Sequence, residues 1–190
     1  MSKLIVINLF AGPGVGKSVM AAELFAVMKK AGSNVEMASE YAKDMVYEQR
    51  SNILSDQLYV LAKQNRRLQR LEDQVDFVIS DSPLLLCPIY ATREYYPTNF
   101  KDFALEVFHG YDNINLFLER PAHREYNAGG RTQKNLGAAQ VVDKKIHQFL
   151  VNNDIPFRTI VPDLVKVDFQ FVRDYVLDPA THPNHPLAIK

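Results

Sequence analysis

The chain has 190 residues, 47% of them hydrophobic, with 22 basic and 22 acidic side chains. That length supports one domain with a real core, and the charge balance excludes a global basic field that would advertise nucleic acid. The single cysteine, Cys87, excludes an internal disulfide and fits a reducing cytoplasm; the apolar run in MSKLIVINLF is too short for a signal peptide or a membrane span.

KLIVINLF reads as a short, buried parallel strand. Met20, Leu24, Val27 and Met28 have helical spacing over 17–31, and Gly32 stops that helix. NVEMASE is a second strand ending at Glu40, followed by a helical YAKDMVYEQR. A longer helix is predicted over 54–74, with Leu54, Leu58, Leu61, Leu68 and Leu71 on one stripe. DFVIS is a third strand, cut off by Asp81-Ser82-Pro83. A connection bearing Tyr and Pro leads to a helix near 100–109, and NINLFLE is a fourth strand. RPAHREYNAGGR is a basic loop; residues 133–151 form an amphipathic helix on Leu136, Ala139, Ile146 and Phe149. PFRTI is the last strand, a short helix covers 168–176, and the Pro-rich LDPATHPNHPLAIK is extended. His182 and His185 there lack Cys or acid partners for a metal.

Strands alternating with helices predict an α/β fold with a five-stranded, mostly parallel sheet flanked by helices. Ligands of such sheets sit at the carboxyl ends of the strands. Ala11, Glu40, Asp81 and Arg120 are therefore expected around one crevice.

The first strand runs into Ala11-Gly12-Pro13-Gly14-Val15-Gly16-Lys17-Ser18. This is the phosphate-binding pattern G-x-x-x-x-G-K-[ST], with Ala at its first position, between a strand and a helix. Its glycines let backbone N–H groups converge on phosphate oxygens. Gly12 to Ser18 are the expected ATP-binding residues: Lys17 reaches the β- and γ-phosphates and Ser18 holds Mg²⁺. No acid follows Asp81 to position a water, and there is no N-K-x-D motif, which argues against hydrolysis and against a GTPase. Asp81 is expected on the Mg²⁺ side, with a strand-end cap as its competing role.

Glu40 faces the acceptor side, where a carboxylate can take a proton from an attacking hydroxyl; helix capping is the competing role, and Asp44 the rival acid. Arg120, Arg124 and Arg131 are expected on an arginine-bearing lid (about 120–132) with Gly129-Gly130 as hinge, Arg120 and Arg124 on ATP and Arg124 and Arg131 at the transferring group. A solvated basic loop is the alternative. Gln57, Val60, Gln64 and Arg67 share the helical face opposite the leucine stripe, and amides there could read a pyrimidine edge or simply be solvated. Arg66, Arg67 and Arg70 could meet a phosphate backbone, and Tyr90, Tyr95 and Tyr96 could stack on a base.

INLFAGPGVGKS, SEYAKDMVYE, DQLYVLAKQNRRL and VISDSPLLL together resemble phage-encoded P-loop kinases related to nucleoside and nucleotide kinases. That group includes 5-hydroxymethylpyrimidine DNA kinases, and the resemblance covers roughly residues 3–150. It implies a P-loop NTPase fold with ATP and Mg²⁺ as cofactors, Glu40 and Asp81 as acids of the site and the arginine segment as lid. The implied activity is phosphorylation of a hydroxymethylpyrimidine, foremost 5-hydroxymethyluracil, in phage DNA within the host cytoplasm. The alternative acceptor is a free nucleoside or nucleotide, and a slow regulatory ATPase is the reading of a different class. Substrate contacts are expected from Glu40, Asp44, Gln57, Gln64, Arg67 and Tyr90. One kinase domain is expected over 1–177 with a tail over 178–190, no membrane association, and a homodimer left open.

Overall fold

A computed structural model describes residues 3–91, 99–122 and 135–176. Five strands form one sheet: β1 (Ile5–Phe10), β2 (Val35–Ala38), β3 (Phe77–Ser80), β4 (Asp112–Leu118) and β5 (Arg158–Ile160). Their order is β2-β3-β1-β4-β5 and every pairing is parallel, so the sheet is parallel throughout.

Helices cover both faces, which is why the strands read as nearly continuous apolar runs. On one face, Ile7 and Leu9 of β1 meet Met20, Ala21, Leu24 and Met28 of α1 (Lys17–Lys30) and Phe171 and Val172 of α7 (Phe169–Tyr175). On the other, Val6 and Phe10 join a core fed by α3 (Gln57–Gln69), α4 (Leu86–Tyr90), α5 (Phe100–His109) and α6 (Leu136–Asn152). The remaining helix, α2 (Tyr41–Tyr47), follows β2 directly. The second face carries a polar seam. Asn8 is buried, and its amide donates to Asn113 Oδ1 (2.8 Å) and Asn115 Oδ1 (3.1 Å), so it costs little to bury.

The expected 54–74 helix is shorter and differently phased. Residues Ser51–Ser55 form a 3₁₀ turn, Asp56 caps α3 by accepting from the Tyr59 N–H (3.0 Å), and α3 ends at Gln69. This cap sets which side faces inward: Gln57, Val60, Leu61, Gln64 and Leu68 are buried, while Leu58 is 49% exposed. Of the leucine stripe, Leu61 and Leu68 are buried and Leu54 and Leu71 pack against the same core from beyond the helix ends, whereas Leu58 turns outward. The expected outer face of amides is in fact the inner one. Helix α4, unforeseen in the Tyr- and Pro-bearing connection, lies directly after β3.

Strand order reverses around β1, whose neighbours are β3 and β4. A crevice beyond the carboxyl ends of these strands is where such a sheet binds its ligand.

Candidate active site

The turn from β1 into α1 is built by its glycines. Gly14 (φ 80°) and Gly16 (φ 119°) occupy the left-handed region that side chains disfavour. Gly12 is required for another reason: a Cβ there would lie 2.2 Å from Asp143 Oδ1. Val15 is fully buried and anchors the loop to the α1 face. Lys17 Nζ donates to the carbonyls of Ala11 (2.8 Å) and Gly12 (3.1 Å). Burial pushes the Lys17 ammonium below its ordinary value, and Glu40, Asp81 and Asp143 oppose that shift.

Ser18 and Asp81 meet at the carboxyl end of β3. Ser18 Oγ donates to Asp81 Oδ2 (3.3 Å), whereas Asp81 Oδ1 is buried with no partner among the described residues. Burial raises the Asp81 carboxyl, against the pull of Lys17 and the Ser18 hydrogen bond. A hydroxyl and a carboxylate that keeps one buried oxygen unused, both beside the loop, are hard donors of the kind Mg²⁺ takes. Among the described residues no group of three or more His, Cys, Asp or Glu side chains comes together. The fit is thus to an ion shared with phosphate oxygens, not to a cage made wholly of protein.

Glu40 occupies the N-cap position of α2 yet makes no side-chain capping bond. Gln64 of α3 does that work instead. Its Oε1 accepts from the Tyr41 N–H (3.1 Å) and its Nε2 donates to the Ser39 carbonyl (3.2 Å), bracketing Glu40. Arg67 donates to the Ser39 carbonyl (2.8 Å) and Ser39 Oγ (2.5 Å), pairs with Asp44 and lies over the Tyr41 ring. Glu40 itself lines the cavity. Burial raises its pKa, Lys17 and Lys43 lower it, and Asp81 and Asp44 raise it further.

One cavity of about 410 Å³ joins these parts. Pro13, Gly14, Gly16, Lys17 and Ser18 line its loop end, Glu40 and Lys43 its side, and Leu54, Gln57, Val60, Leu86, Cys87 and Tyr90 the far wall. Gln57 donates its amide nitrogen to the Leu54 carbonyl (2.7 Å), which fixes the orientation of the group. Burial pushes the Cys87 thiol up to about 12, so it behaves as an apolar wall.

Three expected substrate contacts turn elsewhere. Gln64 is spent on the backbone around Glu40, and Asp44 and Arg67 are spent on each other. None of the three lines the cavity: the inward phase of α3 points Gln64 and Arg67 at the β2–α2 corner, where Asp44 of α2 pairs with Arg67. Arg67 also leaves the expected basic cluster, of which Arg66 and Arg70 remain exposed. Arg120 does not face the cavity either. Its Nη2 donates to the Pro13 carbonyl (2.8 Å), and its Nε pairs with Asp143 (2.7 Å). Arg124, Arg131, Gly129, Gly130, Tyr95, Tyr96 and the tail lie outside the described residues.

Two residues went unread in the sequence. Lys43 follows Glu40 by three residues, a helical spacing visible in EYAKD. Asp143 left no local signal beyond its place in an amphipathic helix.

A family model for an AAA domain matches residues 6–166. The chain belongs to that family. No curated protein matches it. Among solved structures, the chain is similar to deoxyadenosine kinase from M. mycoides with the products dCMP and a flexible dCDP bound. That match has 20% identity and a TM-score of 0.54, over 85% of this chain and 92% of that one. It is also similar to the same kinase with dATP bound, at 17% identity and TM-score 0.53, over 91% of this chain and 99% of that one. The likeness is one of fold: a parallel five-stranded P-loop kinase-like sheet flanked by helices. No described helix is long and apolar enough to cross a membrane.

Proposed function

We propose that this AAA-domain protein is an ATP-dependent phosphotransferase whose acceptor is the hydroxyl of a free nucleoside or nucleotide. The carrying observation is a single cavity with the P-loop at one end, an uncapped Glu40 at its side and a mixed apolar and amide wall beyond. A cavity of about 410 Å³ suits a small acceptor. The kinase fold of the M. mycoides enzyme, solved with nucleotides bound, favours that acceptor over a base held in DNA.

Lys17 leaves the Ala11 and Gly12 carbonyls for the β- and γ-phosphates. Ser18 and Asp81 would hold Mg²⁺, which neutralises charge on the phosphate oxygens when bound. The far wall orients the acceptor, with Gln57 hydrogen-bonding and Tyr90 packing against a heterocycle. Glu40 accepts the proton as the acceptor oxygen forms its bond to the γ-phosphorus and the bond to the β–γ bridging oxygen breaks, releasing ADP. Lys43 adds positive charge on the acceptor side. Arg124 and Arg131 would close over the transferring group, and the unit spans 1–177 with 178–190 as a tail.

The test offers γ-labelled ATP and Mg²⁺ with a panel of free nucleosides and nucleotides, plain DNA and hydroxymethyluracil DNA. Label on a free acceptor is expected. Label only on hydroxymethyluracil DNA would return the acceptor to that implied by the phage-kinase resemblance. Label only in inorganic phosphate would overturn the transferase reading.

A further inference from the structure

At the first turn of the P-loop, close enough to Lys17 to act on its charge, lies a largely buried ion pair. Asp143 of α6 accepts the Gly12 N–H on Oδ1 (2.9 Å) and meets Arg120 on both oxygens, at 2.7 Å to Nε and 3.2 Å to Nη2. The same Nη2 donates to the Pro13 carbonyl (2.8 Å). The side chains of Arg120 and Asp143 are only 11% and 15% exposed. The first turn of the loop is thus gripped at consecutive residues, one by N–H and the next by C=O. The grip comes from the exit of β4 and from α6, elements more than a hundred residues away in the chain.

The placement of a carboxylate here is costly unless it does something. Asp143 carries negative charge next to a loop that must receive a polyphosphate, and like charges repel. A Cβ at position 12 would have to displace Asp143, since it would lie 2.2 Å from Oδ1. Arg120 removes the charge problem while leaving the carboxylate free to hold the Gly12 amide.

We propose that Asp143 is a positioning residue of the P-loop, holding Gly12 and Pro13 in their nucleotide-receiving shape, with Arg120 as the neutralising half of the clasp. This rests on the nucleotide reading of the loop and adds a role for two residues outside it.

The clasp makes a prediction of sign that general structural support does not. Removing Asp143 loses the grip on Gly12. Removing Arg120 loses the grip on Pro13 and also leaves a bare carboxylate beside the phosphates. Taking away that charge in turn should restore binding.

The experiment titrates a non-hydrolysable ATP analogue with Mg²⁺ into the full chain and four variants by calorimetry. Asp143→Ala should weaken binding about tenfold, and Asp143→Asn, which keeps an acceptor for Gly12, should weaken it less. Arg120→Met should weaken it more than Asp143→Ala, and Arg120→Met with Asp143→Asn should bind more tightly than Arg120→Met alone. If Arg120 instead served the nucleotide directly, Asp143→Ala would bind as well as the parent or better, which overturns the clasp. A double variant no tighter than Arg120→Met overturns it too. Should Asp143→Ala fail to fold, Asp143→Asn and the double variant decide. No binding by the unaltered chain overturns the nucleotide reading along with the clasp, whereas parent binding with an unaffected Asp143→Ala overturns the clasp alone.

Discussion

Lys17 and Ser18 reach the cavity from eight contiguous residues, Ala11 to Ser18, whereas Glu40 reaches it from a corner that α3 holds in place. The loop's path is written into its own glycines, two of them at positive φ. The corner has no such local determinant. Glu40 points at the cavity because Gln64 has taken over the backbone groups on either side of it, and Arg67 has tied Ser39 to Asp44. Under the proposed function, the donor site is specified by one stretch of chain, while the acceptor site depends on side chains that do not line the cavity. Damage to the two sides should therefore separate cleanly into nucleotide binding and transfer.

The largest break is on the donor side. Lys17→Ala should lower transfer of γ-label by about 10³-fold or more and weaken binding of the ATP analogue, since it removes the charge proposed to meet the β- and γ-phosphates. On the acceptor side, Glu40→Gln should lower kcat by about 10²-fold or more while the analogue's Kd stays within about twofold. If both constants move together, the division between the two sides is wrong.

A sharper version removes Gln64 without touching the cavity. Gln64→Leu should lower kcat about tenfold with nucleotide binding unchanged, because Glu40 loses its alignment. In a Glu40→Gln background the same change should cost nothing further, a non-additivity that steady-state rates can read. Additive losses would show Gln64 acting on something other than Glu40.

The smallest effect concerns pH. Burial raises the folded-state pKa of both Glu40 and Asp81, so the folded chain binds their protons more tightly than the unfolded chain does. Stability attributable to these groups is present below their ordinary values and is lost as pH rises through the raised ones. Glu40→Gln should therefore increase the thermal midpoint at neutral pH, and the gain should shrink in acid. A scan of Tm against pH checks the sign. The rate should show the opposite limb, rising with pH as Glu40 ionises above the usual carboxylate range.

The same contrast explains what could be read before the fold was known. The P-loop, the strand ends and the parallel architecture were legible because each is a local pattern of glycines or of apolar runs. Gln57 and Tyr90 were placed on the acceptor side and do line the cavity. Gln64 and Arg67 were not legible, because a 3₁₀ turn and the Asp56 cap set a helix phase that the leucine stripe does not record, and Asp44 was not because its partner is Arg67. Asp143 is the extreme case: its role depends on a contact 131 residues away.

The central claim is that the γ-phosphate leaves for a hydroxyl and not for water. Counting ADP and phosphoester in one reaction, with γ-labelled ATP and a saturating free nucleoside or nucleotide acceptor, tests it directly. The geometry predicts one phosphoester for each ADP. ADP matched by inorganic phosphate, with no phosphoester on any acceptor, would contradict it.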